Sequence, residues 1–126
     1  MIIRKAEFSE GLASLIRGLF PKSEPLFTDN DVYFVAEEKG NIIGFVHLIL
    51  KEKAILLQGI GVEPEWREHG AGSRLIDSAV RFCDRKKMDI LLKVKPTNPA
   101  LNLYHKKGFT LKKIQDVYIL ERKRVN

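Results

Sequence analysis

An arginine and two glycines are spaced along residues 67–72 in a way that suits the binding of an anion. The pattern is R-x-x-G-x-G, from Arg67 to Gly72, and an amphipathic helix is predicted to follow it. The first turn of a helix has backbone N–H groups without intrahelical partners, and the helix macrodipole favours negative charge there. Glycines let an anion approach those N–H groups closely. The segment therefore predicts a site for a phosphate-bearing cofactor.

Two familiar phosphate-binding fingerprints do not match this segment. The dinucleotide-binding pattern G-x-G-x-x-G is absent, and Gly72 is followed by Ser73-Arg74 rather than by the Lys-Ser/Thr of a P-loop. Many helices also begin after a glycine loop and bind nothing. On its own the segment leaves both interpretations open, so the surrounding elements are needed to decide between them.

The composition is typical of one domain that spans residues 1–126, with 44% hydrophobic residues to build a core. The net charge of +6 favours anionic partners without choosing among cofactor phosphates, nucleic acid and acidic surfaces. Cys83 is the only cysteine and lies on the apolar face of a predicted helix, so it is expected to be a buried hydrophobe. We expect a cytoplasmic protein, because no disulfide, signal peptide or membrane-spanning run is recognised.

Hydrophobic periodicity predicts an α/β protein with a mixed sheet. The predicted strands are 2–6, 32–37, 42–50, 54–62, 90–94, 109–113 and 117–122, and the predicted helices are 10–20, 72–87 and 99–106. Residues 20–31 contain two prolines and several turn formers, and are expected to be irregular and exposed. Gly59 and Gly61 interrupt the fourth strand, which indicates a bulge, a close approach by a ligand, or a simple packing accommodation.

Two motifs in this order resemble those of the GNAT superfamily of N-acetyltransferases. The first is LLQGIGVEPEWREHGAGSRLI, Leu56–Ile76, and the second is NPALNLYHKKGF, Asn98–Phe109. The start of the chain and the hairpin turn at Glu37–Phe45 also lie where members of that family have theirs. The resemblance implies a single GNAT-like domain with a mixed central sheet of about six to seven strands. It further implies a sheet splayed at the fourth and fifth strands and flanked by three or more helices.

The resemblance implies acetyl-CoA as co-substrate, with no metal. Backbone N–H groups in the loop would cradle the pyrophosphate, and the strand before the loop would pair with the pantetheine arm. A bulge at Gly59–Gly61 would splay this strand from the next and admit the thioester. The implied cofactor-binding residues are Ile60, Gly61, Val62, Arg67, Glu68, His69, Gly70, Ala71, Gly72, Ser73, Arg74, Asn98 and Tyr104. Asn98 stands one position nearer to Tyr104 than the asparagine of many members, whose place is taken by Thr97.

Tyr104 is the residue that the resemblance implies as a catalytic acid for the departing thiolate. A phenol has a pKa near ~10 and is protonated at neutral pH, while thiolate with a pKa near ~8.5 already leaves well. The alternative is a tyrosine that packs its ring under the cofactor.

The general base is not evident from the sequence. Many members use a glutamate on the splayed strand, but the matching residue here is Gln58, and Glu63 is the nearest acid. We therefore predict Glu63 as the second catalytic residue, with a solvated loop glutamate as the alternative. The three histidines are scattered without metal-ligand spacing, and His47 could face the cleft, although a cross-strand role is the favoured interpretation. Water alone could also accept the proton.

The predicted function is acetyl transfer from acetyl-CoA to a primary amine by direct attack. The acceptor is a small molecule or a protein amine, membrane binding is not expected, and a homodimer is left open. A first alternative is a catalytically silent module that binds acetyl-CoA, which the glutamine at position 58 favours. A second is nucleic-acid binding, although a solvated basic face explains the basic groups as well; these groups are Arg85-Lys86-Lys87, Lys106-Lys107, Lys112-Lys113 and Arg122-Lys123-Arg124.

Overall fold

A computed structural model describes residues 1–125 of the chain. Seven strands form one sheet, in which the strands follow chain order except that the seventh lies between the fifth and the sixth. The elements are β1 (Ile2–Ala6), α1 (Glu10–Leu19), β2 (Asp31–Glu38), β3 (Asn41–Leu50), β4 (Ile55–Val62), a short 3-10 helix (Pro64–Trp66), α2 (Ala71–Arg85), β5 (Ile90–Val94), α3 (Leu101–Lys106), β6 (Thr110–Ile114) and β7 (Tyr118–Arg122). The predicted α/β class, strand number and helix number are confirmed.

The sheet separates between its fourth and fifth strands. All neighbouring strands pair antiparallel except β4 and β5, which are parallel and pair only at Ile55 with Ile90 and at Leu56 with Leu91. Beyond these two pairs β4 continues beside β3, while β5 continues beside β7. The predicted splay is therefore present, and it opens a gap along the second half of β4.

A bulge in β4 lies at the point where the strands separate. His47 of β3 is opposite Gly59, but the next residue, Leu48, is opposite Leu57, so Gln58 is an extra residue on β4. The prediction of a bulge at Gly59–Gly61 was wrong by one residue, because the glycines themselves stay in register with β3. Gln58 is exposed on the strand instead of being paired in the ladder.

The two faces of the sheet bury separate clusters of apolar side chains. On one face α2 packs Leu75, Ile76 and Ala79 against strand residues that include Leu48 and Ile55. On the other face α1 packs against β2 and β3; the cluster there is Leu12, Leu15, Ile16, Tyr33, Val35 and Phe45. The α1 face also has a pocket beside the bulge.

Local signals account for the helices that cover these faces. Ser9 accepts a hydrogen bond from the Leu12 N–H at 3.1 Å and caps α1, as its position before an apolar-periodic run predicts.

Cys83 is buried on the inner face of α2, as predicted. No helix within residues 1–125 is both long enough and apolar enough to cross a bilayer.

Gly44 is a glycine that close packing requires. A Cβ on Gly44 would lie 3.1 Å from the Gly61 carbonyl oxygen and 3.3 Å from Leu75 Cδ1, with Val62 at the same distance on the third side. We expect Gly44→Ala to lower the free energy of unfolding by about 1–3 kcal/mol, because the strand backbone cannot move aside. Urea unfolding measures this change. The matched control is Gly18→Ala in α1, where a Cβ meets nothing within 4 Å and a gain of about 0.5–1 kcal/mol is expected; equal effects of the two substitutions would contradict the packing argument.

Candidate functional site

The N-terminus of α2 presents backbone N–H groups that the protein leaves without acceptors. Its N-cap is Gly70, which contributes no side-chain cap, and the first intrahelical bond runs from Arg74 N–H to Gly70 O at 3.1 Å. In the described chain, the N–H groups of residues 71–73 therefore have no intrahelical partner. Gly70 at φ +83° and Glu68 at φ +64° are both in the left-handed region, a conformation that turns successive amides toward a common point. The loop thus has the geometry of an anion cradle.

The two glycines of the cradle are needed for different reasons. Gly70 is held at a positive φ that side chains other than glycine rarely adopt. Gly72 is not so constrained, and a Cβ there would be at ordinary contact distance, 4.0 Å, from Leu103 Cδ2 of α3. The fold would therefore accept a side chain at position 72. Its absence keeps the first turn of α2 accessible, beside α3.

The ladder between β3 and β4 determines which backbone groups of β4 face the gap. Glu63 N–H donates to Ile43 O at 2.8 Å, which marks a hydrogen-bonded pair of this antiparallel ladder. Hydrogen-bonded and non-bonded pairs alternate along such a ladder, so Val62 and Ile60 belong to non-bonded pairs. Their N–H and C=O groups therefore point away from β3 and into the gap. The Val62 carbonyl accepts from Arg67 Nε at 3.0 Å. An extended ligand with amide groups could pair with the remaining edge.

The charged side chains of the loop are tied to the protein rather than aimed together at the cradle. Arg67 holds the loop onto β4 through Val62, and His69 Nδ1 bonds to the Arg67 carbonyl at 2.8 Å. Arg74 donates to the Met1 carbonyl at 3.1 Å, so it points toward the start of β1. The backbone N–H groups are consequently the donors that the loop leaves available to an anion.

Tyr104 lies in α3 with its ring in the core. Its ring packs edge-on against Phe109, with centroids 5.7 Å apart, and only 5% of the residue is exposed. Burial raises the pKa of the Tyr104 phenol, so it is protonated at neutral pH. Among residues 1–125 no fully buried side-chain oxygen lacks a hydrogen-bond partner. Since no partner of the Tyr104 hydroxyl is found there, its oxygen is not fully buried.

Asn98 and Glu63 are not brought to the same place as Tyr104 by any observed contact. Asn98 Oδ1 accepts from the Ala100 N–H at 2.8 Å and so stabilises the turn before α3. Glu63 ends β4 and begins the 3-10 helix, and its side chain forms no ion pair or hydrogen bond within the described part of the chain. Both assignments from the sequence stay predictions.

A pocket of about 680 Å³ opens on the α1 face of the sheet, beside the bulge. Its walls are mostly apolar; they are Ile16, Leu19, Phe20, Pro21, Pro25, Leu26, Tyr33, Phe45 and Ile49, with Lys22, Ser23 and Glu24 from the same loop. Its other members, from β3 and β4, are His47, Gln58 and Gly59. The sequence did not predict this pocket, because residues 20–26, expected to be an exposed irregular segment, form one of its walls.

His47 is the buried polar group of this pocket, with 8% of the residue exposed. Its Nε2 lies 2.6 Å from Asp31 Oδ1, and its ring stacks on Tyr33 with centroids 4.2 Å apart. Burial lowers the pKa of His47, although Asp31 partly offsets this effect. Burial alone would raise the pKa of Asp31, but hydrogen bonds from Thr28 and His47 outweigh it and hold that pKa below its usual value. At neutral pH the pair is thus a neutral imidazole beside a carboxylate.

Gly61 has a packing role that the sequence left as one of three interpretations. A Cβ at this position would lie 2.9 Å from Leu19, 3.0 Å from Phe20 and 3.1 Å from Phe45. The end of α1 therefore packs directly onto the strand backbone. Gly59 is different, because a Cβ there would meet only Phe45, at 4.0 Å, and the free space belongs to the pocket.

Residues 1–125 contain no group of three or more His, Cys, Asp or Glu side chains that could hold a metal ion. Besides backbone amides, the groups of this region with acid–base chemistry include the His47 imidazole, the phenols of Tyr33 and Tyr104, and the carboxylates of Glu24, Asp31 and Glu63. The unpaired amides of β4 face the gap, Tyr104 packs in the core cluster on the α2 face of the sheet, and the His47 imidazole lies on the α1 face.

A sequence model described as the acetyltransferase (GNAT) domain matches residues 29–111, well over half of the chain. This match runs from the end of the loop before β2 into β6 and includes both motifs found in the sequence. A search of curated protein sequences found no significant match.

Several solved acetyltransferase structures share the fold over their whole length. Aminoglycoside 6'-acetyltransferase type Ii superposes with a TM-score of 0.83 at 18% identity, over 100% of this chain and 99% of that chain. The ribosomal-protein-S18-alanine N-acetyltransferase from Escherichia coli gives 0.81 at 13% identity, over 99% and 97%. PaiA N-acetyltransferase from Thermoplasma acidophilum, in complex with coenzyme A, gives 0.76 at 17% identity, over 98% and 99%. At these identities the likeness establishes the fold.

The buried pair of Asp31 and His47 predicts how stability depends on pH. The folded-state pKa of His47 is below its ordinary value of 6.5, so its contribution is complete above pH 6.5 and is lost as pH falls through the lowered pKa. Asp31, also lowered, loses its contribution only below about pH 3.8. We expect His47→Gln to remove the decrease in the free energy of unfolding that begins near pH 6.5. The decrease below about pH 3.8, which Asp31 causes, should remain. Urea unfolding across pH measures this, with His105→Gln at an exposed site as control; the same curve for His47→Gln and the wild type would refute the assignment.

Proposed function

This chain belongs to the GNAT acetyltransferase family, and we propose that it transfers the acetyl group of acetyl-CoA to a primary amine by direct attack. The observation that carries the proposal is the unpaired β4 edge leading into the unpaired N–H groups of α2. An extended molecule that has amides along one part and a pyrophosphate at the next matches both features in order. Coenzyme A has this constitution, and it is bound in the structure of the Thermoplasma acidophilum relative.

The residues present fit acetyl-CoA without further charged groups. The pyrophosphate would accept hydrogen bonds from the N–H groups of residues 68–73, where the dipole of α2 also favours negative charge. The pantetheine amides would pair with Ile60 and Val62, like an added strand. The acetyl group would then enter the gap between β4 and β5, close to the bulge at Gln58.

Direct attack requires no nucleophile from the protein, and the one cysteine of the chain is not suited to be one. Cys83 is fully buried, and burial raises the pKa of its thiol to about 12. In the proposed reaction the amine nitrogen bonds to the thioester carbon, the C–S bond breaks, and the thiolate takes a proton from the Tyr104 hydroxyl. Backbone N–H groups of β4 that face the gap would stabilise the charge that develops on the carbonyl oxygen.

The acceptor amine would reach the thioester from the α1 face, through the pocket beside the bulge. This pocket and the gap share Gln58 and Gly59, so a molecule in the pocket lies next to the place proposed for the acetyl group. Relatives with this fold are described as acting on aminoglycosides and on the alanine of ribosomal protein S18. A small-molecule acceptor or a protein amine is compatible with the fold, and the single buried cysteine suits the reducing cytoplasm that we propose.

A catalytically silent acetyl-CoA module is the second candidate, because Gln58 replaces the carboxylate that many family members carry. Nucleic-acid binding has less support than the sequence suggested. Lys107, Lys112, Arg122 and Lys123, which belong to the basic groups, form ion pairs with acidic side chains, such as Arg122 with Asp84 at 2.8 Å. These pairs reduce the charge that the surface offers to phosphates.

Two measurements distinguish the candidates. Calorimetry should detect acetyl-CoA binding, and release of free thiol should follow when amines of different classes are added. Binding with thiol release supports the transferase, and binding without release from any amine supports the silent module. No binding of acetyl-CoA rejects both.

Gly72→Ala tests the cradle. The fold has space for this methyl group, but a side chain in the first turn of α2 would hold the phosphates away from at least one N–H donor. Losing one hydrogen bond to a charged group costs about 1.5–3 kcal/mol, so we expect the Kd for acetyl-CoA to rise on the order of 10- to 100-fold. Calorimetry measures it, and Gly18→Ala is the matched control. Unchanged affinity in a folded Gly72→Ala protein would place the phosphates elsewhere.

Tyr104→Phe tests the proposed acid. The ring and its packing on Phe109 are kept, and only the hydroxyl is removed. We expect kcat to fall on the order of 10- to 100-fold, at the low end for general acid catalysis because thiolate is a good leaving group, while the KM for acetyl-CoA changes little. Tyr118→Phe, which removes a hydroxyl from β7, controls for nonspecific effects. A kcat equal to wild type would assign Tyr104 a packing role.

A further inference from the structure

We propose that His47, oriented by Asp31, removes the proton from the acceptor ammonium, and that the acceptor is a primary amine on a compact apolar or aromatic body held in the pocket beside Gln58. This inference rests on the proposed acetyltransferase function and deepens it, because it names both the missing base and the class of acceptor. It replaces Glu63, the acid that the sequence suggested, with a residue of the neighbouring strand.

The Asp31–His47 hydrogen bond fixes which nitrogen can accept a proton. Asp31 is 4% exposed at its side chain and also accepts from the Thr28 hydroxyl at 2.6 Å and from the Thr28 N–H at 2.9 Å. Three donors on one carboxylate keep it ionised, so His47 Nε2 carries the proton that it donates to Asp31. Nδ1 is then the nitrogen with the free lone pair.

The free nitrogen of His47 has access to solvent, and the residue itself lines the pocket. No side-chain nitrogen or oxygen of residues 1–125 is both fully buried and without a hydrogen-bond partner. Nδ1 has no protein partner there, so it must reach the solvent-accessible space, and His47 is one of the residues that line the pocket. A neutral imidazole at a cleft, held in one tautomer by a carboxylate, is the arrangement of a general base.

The sheet register places His47 next to the splay point. His47 is directly opposite Gly59, so both residues face the α1 side, and Gln58 is the bulged residue beside them. Position 59 carries no side chain that could stand between the imidazole and the gap. The base would therefore act across one strand, directly or through one water, on an amine lying over Gly59.

The apolar walls explain how a histidine could deprotonate an ammonium. An alkylammonium has a pKa near ~10.4 in water, well above that of His47, but desolvation disfavours the charged form and lowers this pKa. Phe45 is buried and Ile49 half-buried, whereas Phe20 and Leu26 are exposed and would be covered by the bound amine. Long polycations are disfavoured, because Glu24, which lies beside Lys22 on the loop wall, is the one lining carboxylate that an additional ammonium could pair with. The pocket thus links acceptor class to proton transfer.

The proton balance of the reaction closes without another reactant. His47 Nδ1 takes one proton from the ammonium, and the neutral amine forms the N–C bond as the C–S bond breaks. The amide nitrogen loses its second proton to water, and the thiolate gains one from Tyr104, which is reprotonated from solvent. The products are the N-acetylated amine, free CoA thiol and one proton, which His47 releases to solvent.

Few other titratable groups face His47. Asp31 and Tyr33 of β2 are two of them. Burial, together with the charge of the nearby Asp31, raises the pKa of Tyr33 to about 12, so its phenol is neutral between pH 5 and 9. Lys22 and Glu24 lie on the loop wall across the pocket. The α1 residues of the pocket, Ile16 and Leu19, do not titrate. An acid limb in kcat/KM below pH 6.5 would therefore report His47.

The experiment measures thiol release with acetyl-CoA and two acceptors, 2-phenylethylamine and spermidine, from pH 5 to 9. We expect kcat/KM for 2-phenylethylamine to exceed that for spermidine by about 10-fold or more. His47→Gln retains an amide donor for Asp31 but cannot titrate, so kcat at pH 7 should fall on the order of 100-fold, and the acid limb should vanish. Acetyl-CoA affinity should stay within about 2-fold of wild type, since the cradle is on α2. His105→Gln is the matched control.

Two further variants keep the test decisive if His47→Gln does not fold. Asp31→Asn removes the charge that favours protonated His47, so the acid limb should move to lower pH, a shift that loss of packing alone would not produce. Gly59→Val fills space between His47 and the gap, so KM for 2-phenylethylamine should rise several-fold while acetyl-CoA still binds.

Each contrary result identifies which statement fails. An unchanged rate and acid limb in folded His47→Gln, or their loss in Glu63→Gln instead, would overturn the assignment of the base. A preference for spermidine would overturn the acceptor class. Failure of the wild-type protein to bind acetyl-CoA, or to acetylate any amine, would instead reject the proposed function on which this inference rests.

Discussion

The early separation of β4 from β5 is the constraint on which the rest of the site depends. Two residue pairs hold the strands together, and beyond them each strand follows a different neighbour. Backbone groups at such an internal edge must find partners, because leaving them unsatisfied when a ligand or protein covers them is costly. Val62 illustrates this, since its carbonyl is satisfied by Arg67 of the following loop. The open edge thus ends at the loop that leads, through the 3-10 helix Pro64–Trp66, to the N-terminus of α2.

The bulge at Gln58 lies between the open edge of β4 and the pocket on the α1 face of the sheet. The extra residue, Gln58, lies where the pairing with β5 has ended, so the disruption of one ladder coincides with the loss of the other. On the α1 face, Gly61 lets the end of α1 pack onto the strand, whereas Gly59 leaves space for the pocket. Two glycines in one strand therefore serve opposite purposes, one for packing and one for access.

Local sequence patterns were sufficient for the elements and for the glycine loop that begins α2 but not for the pocket. The cradle depends on residues that are consecutive, so Gly70 and the start of α2 could be recognised directly. The pocket combines α1, the following loop and three strands, and the pairing of Asp31 with His47 depends on how β2 and β3 are aligned. A histidine alternating with apolar residues gives no sign of a carboxylate 16 positions away. The bulge at Gln58 was misplaced for a similar reason, because glycine marks flexibility and not register.

Burial has opposite effects on the two groups to which the proposed mechanism assigns proton transfer. Desolvation disfavours whichever form is charged, so it raises the pKa of Tyr104 and lowers that of His47. At neutral pH the phenol is thus protonated and the imidazole neutral, which are the states that an acid and a base need before reaction. The carboxylate of Asp31 limits the shift at His47 and fixes its tautomer. A glutamate at position 58 would add a negative charge at the open strand. With glutamine there, burial sets the protonation states of Tyr104 and His47, and Asp31 is the charge that acts on His47.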